Sequence, residues 1–151
     1  MTRTELALRD LYVEDETAWL EATAELIAAG AYSELDYENL REFVTDMALR
    51  DRREVESRSV VLLIHVLKWV HQPDQRSRSW INTIAEQRFE LARLARKGVL
   101  RNHAEAVLAE LYPEAVTRAA GETGLPPTAF PPVCAYSFAE LLAFDPNGSP
   151  S

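Results

Sequence analysis

The chain has one cysteine and five glycines in 151 residues, and only two of its 16 basic residues, Lys68 and Lys97, are lysines. Each scarcity excludes something. Cys134 has no partner for an internal disulfide, and nothing in the sequence resembles a secretory leader, so a reducing cytoplasm is the expected compartment. The glycines form neither a G-x-x-x-x-G-K-[ST] loop nor a G-x-G-x-x-G turn, which leaves a dedicated nucleotide fold without support. With no cysteine pair and no E-x-x-H or H-E-x-x-H spacing, no metal site and no cofactor are expected. His65 and His71, six residues apart, would project about 120° apart on a helix and make a poor ligand pair. No apolar run approaches the ~20 residues that cross a bilayer, so no membrane association is expected. Strand-like alternation, internal repeats and heptads are lacking too. What remains is an all-α fold: one domain over residues 1–151 with an ordered core at about 10–145, a helical bundle around a buried central helix.

The central helix is legible in residues 60–70, apolar at every position except His65 and Lys68, so nearly its whole circumference should be buried. Pro73 ends it near His71 or Gln72. Ser79 then reads as the N-cap of a helix starting at Trp80. Upstream, residues 1–13 show no clean period and read as the start of a mobile tail, with Leu8, Leu11 and Tyr12 available to pack. From Asp15, Trp19, Leu20, Thr23, Leu26 and Ile27 recur at helical spacing up to a stop at Gly30. Asp36 can cap a second helix with Leu40, Phe43, Val44 and Met47 as its buried stripe. Asp51 with Glu54 resembles a capping box, which predicts a kink or break near Arg50–Asp51 before the central helix.

Downstream, a helix over Trp80–Lys97 stops at Gly98. Arg88, in the gap of its apolar stripe, needs a partner to offset desolvation, and a carboxylate of residues 36–46 is the expected one. Leu100, Ala104, Val107, Leu108 and Leu111 make a further helix, and Pro113 fits the first turn of a separate short one ending at Gly121 or Gly124. Six of the eight prolines lie at or beyond residue 126. They predict an extended strap over Leu125–Ala135, anchored by Phe130, Tyr136, Phe138, Leu141, Leu142 and Phe144, with a capping box at Ser137 and Glu140. No P-x-x-P spacing offers a polyproline ligand.

Charge is divided along the chain. Residues 1–49 carry 12 acidic and 3 basic groups, residues 50–101 carry 6 and 12, and residues 102–151 carry 6 and 1, for a net of −8 overall. That total argues against broad non-specific nucleic-acid binding while leaving a local basic cleft open. Arg58, His65, Lys68 and Gln72 fall at i, i+7, i+10 and i+14, a polar edge on an apolar cylinder. Such an edge is either paired internally or is a site. As a site, a His kept neutral beside cations would be a general base near an anion, with Arg58, His65 and Lys68 as the catalytic candidates. Gln72, Arg76, Arg78 and Trp80, around the C-terminal end of the same helix, are the binding candidates, because helix-end carbonyls favour cations and gathered cations favour an anion.

The run ESRSVVLLIHVLKWVHQPDQRSRSW, with LDYENL before it and LYPEA and GLPPTAFP after it, resembles the bacterial family catalogued as domain of unknown function 29, over about residues 10–145. That resemblance implies an all-helical fold and supplies no activity. Arg58, six intervening residues and His65 are also similar to the R-x(4–6)-H pattern of the HEPN ribonucleases, in which paired Arg and His face each other across a dimer; Ser59 stands where those enzymes usually carry Asn, Asp or His. Two readings result. One is an interaction or regulatory module that holds a protein partner or another copy of itself; the other is a ribonuclease or RNA- or phosphate-binding protein using Arg58 and His65.

Overall fold

The computed structural model describes residues 3–148, and these are all-α: six helices, with a short 3₁₀ turn in three of the five connections and no strand among the described residues. The helices are α1 (Arg3–Glu14), α2 (Glu16–Ala28), α3 (Tyr37–His71), α4 (Arg78–Leu94), α5 (Gly98–Thr123) and α6 (Phe138–Ala143). Residues group into two compact units, Met1–Leu49 and Arg50–Ser151. The division falls where the charge along the sequence changes sign.

The first unit is built on Trp19, which is fully buried. Tyr12 meets it edge-on at 4.8 Å between ring centroids, and Phe43 packs at 5.8 Å. Its indole N–H donates to the buried Asp36 carboxylate at 3.2 Å. Asp36 also accepts from the backbone and side chain of Asn39, so it caps α3 as expected. Asp15 caps α2 by accepting from the Ala18 amide, and α2 ends in a Schellman motif: the Ala31 amide reaches the Leu26 carbonyl, the Gly30 amide reaches that of Ile27, and Gly30 takes a φ of 72°. Two expectations fail here. The expected tail is instead α1, made of good helix formers with Leu8, Leu11 and Tyr12 on one face; a face of barely two turns is too short for periodicity to reveal. The part of that expectation covering residues 1 and 2 lies outside the described residues. On α3, Leu40 and Phe43 are half-buried, but Val44 and Met47 are exposed.

The second unit packs around the C-terminal half of α3. Val55, Leu62, Leu63 and Val66 have no exposed surface, and Val60, Ile64 and Leu67 almost none. Direction can be read from side-chain bonds. Arg52 meets His103 and Gln72 meets Thr123, both 51 residues apart, so α5 runs parallel to α3. Arg58 meets Gln87 while Lys68 meets Trp80, so α4 runs antiparallel between them in sequence. From Leu125 the chain is extended apart from one turn at Pro127–Ala129, held by the Tyr112 hydroxyl, which donates to the Pro131 carbonyl at 2.7 Å, and by buried Phe130. The Ser137–Glu140 capping box opens α6 as expected, and Phe138 and Leu141 are buried.

Several boundaries differ from expectation. Ser77 rather than Ser79 caps α4, accepting from the Trp80 amide at 3.3 Å, and α4 closes at Leu94. Pro113 does not start a new helix but lies inside α5, because the buried face Ala104, Leu108, Tyr112, Ala115, Ala119 continues unbroken past it. Gly124, at φ 76°, ends that helix. The break at Arg50–Asp51 is absent; α3 is continuous from Tyr37 to His71. Every residue from Val44 to Asp51 is exposed, leaving two turns of that helix without a buried side chain.

Candidate functional site

Arg58, Lys68 and Gln72 of the polar edge of α3 are engaged by neighbours inside the second unit, and His65 is bonded through one of its two ring nitrogens. Arg58 pairs with Glu54 one turn back at 3.0 Å and donates to the Gln87 side chain at 3.2 Å. Lys68 is 9% exposed, and its ammonium lies over the Trp80 ring at 4.7 Å, an attraction strengthened by loss of water. Gln72 donates to the Thr123 carbonyl at the end of α5. His65 is half-buried, and its Nδ1 is 2.9 Å from the Val61 carbonyl, an acceptor only, so Nδ1 carries the proton. Burial holds its pKa below the ordinary imidazole value; the bond to the Val61 carbonyl and, after it, Glu122 oppose the effect, while Lys68 and Arg118 add to it.

These side chains do not converge. Arg58 and Lys68 turn to α4, whereas Gln72 turns to α5, and Arg58 and His65 are two turns apart, about 10 Å along the axis. Two pairs do come together. Lys68 meets Trp80, and Arg76 with Arg78 lines a cleft of about 310 Å³ together with Trp69, Ser77, Ile81 and Asn147. Within it Arg76 stacks on Trp69 at 4.7 Å and donates to that residue's carbonyl at 2.9 Å. Arg88 is not paired with a carboxylate of residues 36–46; it donates to the Leu142 carbonyl at 2.7 Å, since α6 packs against α4 and delivers the carbonyls of its last turn.

One polar cluster was missed in the sequence. Arg52, Glu56 and Ser59 share a face of α3, and His103 of α5 meets the first two: Arg52 donates to Nδ1 at 3.2 Å, and Nε2 is 3.8 Å from Glu56. An arginine can only donate, so the imidazole proton sits on Nε2. Nε2 and the buried Ser59 hydroxyl make no hydrogen bond. The i, i+4, i+7 spacing of Arg52, Glu56 and Ser59 was available, but His103 lies in another helix and the register between them was not. Cys134 donates to the Tyr136 carbonyl at 3.3 Å, and burial raises its thiol pKa, the reverse of a nucleophile's environment.

Among the described residues, no helix is long and apolar enough to cross a membrane. The family model described as "Domain of unknown function DUF29" matches residues 11–145. No curated protein and no solved structure matches the chain.

Proposed function

From a chain that belongs to the domain of unknown function DUF29 family, we propose a cytoplasmic bacterial interaction or regulatory module that holds a protein partner and turns over no substrate. The observation that supports this is the internal use of the polar edge of α3. A general base and its anion-stabilising cations must face one reacting atom, and here Arg58 is held by Glu54 and Gln87 and Lys68 by Trp80, with Arg58 two turns of helix away from His65. The free thiol of Cys134 fits a reducing compartment. The ribonuclease alternative finds no support in the comparisons. The test is the integrity of short single-stranded RNA over hours with purified protein, beside the folded His65→Ala and Arg58→Ala variants. Intact RNA in all three is expected. Cleavage by the wild type that both variants lose would overturn the reading.

A further inference from the structure

The hairpin of α1 and α2 leaves an apolar groove of about 430 Å³ open on the first unit, lined by Ala7, Leu8, Leu11, Ala22, Glu25 and Leu26. Alanines where larger side chains would fill the seam keep it open. Its surroundings have one sign. Asp10, Glu14, Glu21 and Glu25 are all exposed on the two helices that form it, and α2 contains no basic residue. The one described cation of α1, Arg9, is engaged elsewhere, with Asp36 at 3.8 Å and Glu38 at 3.9 Å. The wider unit has the same character, for residues 1–49 carry 12 acidic groups against 3 basic ones. The Tyr12 phenol senses that field: its pKa is raised by desolvation and then by Glu42, Asp46, Glu16 and Asp36.

Charge decides the occupant. Nucleic acids and anionic membrane surfaces are repelled by such a rim, and a neutral apolar ligand would leave the carboxylates unused. An amphipathic helix with apolar residues at i, i+3, i+4 and i+7 and Arg or Lys beside them satisfies both groove and rim. Length agrees as well. The 13 residues of α2 extend about 20 Å, which matches roughly fourteen residues of a docked helix. We propose that the α1–α2 groove binds a cationic amphipathic helix of a protein partner, an assignment that rests on the binding-module reading and specifies the partner's chemistry.

The probe is a synthetic fourteen-residue peptide with leucine at those four spacings and lysine or arginine elsewhere, set against the same peptide with glutamate in place of its cations. Titration by fluorescence anisotropy should show saturable binding of the cationic peptide only. Ala22→Phe, which fills the groove, and Glu21→Lys with Glu25→Lys, which reverses its rim, should each weaken binding about tenfold or more, the scale of one lost anchor or a few charge contacts. Glu110→Lys with Glu114→Lys makes the same change of net charge on exposed positions of α5, in the second unit, and should weaken it less than threefold. Circular dichroism confirms that each variant is folded, and the surface charge pair decides the matter should Ala22→Phe fail to fold. Equal losses in both charge pairs would reduce the effect to diffuse attraction and overturn the proposal. So would equal binding of the glutamate peptide, no binding at millimolar peptide, or a protein dimer in sedimentation that Ala22→Phe disperses, since the groove would then belong to a second copy. If the peptide fails while RNA stays intact, the groove is wrong and the binding module stands; RNA cleavage ends the module reading whatever the peptide does.

Discussion

His65 and His71 are both held below the ordinary imidazole value of 6.5, His65 chiefly and His71 wholly by burial. The unfolded chain therefore takes up protons at a higher pH than the folded one. Their contribution to stability is complete above the unfolded value and is lost as pH falls through the lower folded values. Urea midpoints should drop between about pH 7.5 and 5.5, the range in which a free imidazole titrates, and the drop should shrink in a His65→Gln, His71→Gln double variant. An unchanged slope in that variant would assign the acid sensitivity to carboxylates. Asp36 serves two elements of the first unit at once, the Trp19 ring of α2 and the start of α3. Asp36→Ala removes a helix cap and strands the buried Trp19 indole N–H, so a loss of about 2–4 kcal/mol is expected from denaturant unfolding. A loss under about 0.5 kcal/mol would mean that water replaces the carboxylate.

At the scale of elements, what was legible and what was not have one physical origin. The Asp36 cap, the stop at Pro73 and the Ser137–Glu140 pair act within a turn or two of themselves, so the sequence around them was enough. Asp51 with Glu54 looked equally local, yet a capping box needs a chain that has left helical geometry, and nothing at Ala48–Arg50 makes it leave. Asp51→Ala should accordingly change stability by less than about 0.5 kcal/mol, whereas Asp51→Pro, which deletes an amide and crowds the preceding turn, should cost about 3 kcal/mol. A loss near 1 kcal/mol for the alanine variant would restore the cap. Pro113 misled in the opposite direction, because a tertiary face overrode a local breaker. Replacing it with alanine should raise the denaturation midpoint by restoring an amide to α5; a lower midpoint would show that the ring packs better than a helical bond. The candidate site was legible as a list of residue types and illegible as geometry, since the sequence cannot say that Lys68 meets Trp80 or that Arg52 meets His103.

Over the whole molecule, charge is segregated rather than mixed. A first unit with four acidic groups for every basic one repels itself, and salt relieves repulsion at separations beyond the Debye length of about 10 Å at 0.1 M. With Trp69→Phe and Trp80→Phe in place, fluorescence reports Trp19 alone, and its unfolding midpoint should rise as sodium chloride increases from about 0.05 to 0.5 M. A falling midpoint would give the Arg9 ion pairs more weight than the crowd of carboxylates. The bare turns of α3 between Val44 and Asp51 carry a consequence of another kind. Between Val55 and Lys68 buried side chains pack over the helix, but here only the intrahelical bonds hold, and two turns of helix are marginal without packing. Amide deuterium uptake should therefore be fastest in the middle of the longest helix, within residues 46–53, and slowest at 60–67. Trypsin should make its first internal cut after Arg50, severing a helix at its centre while both of its ends stay folded.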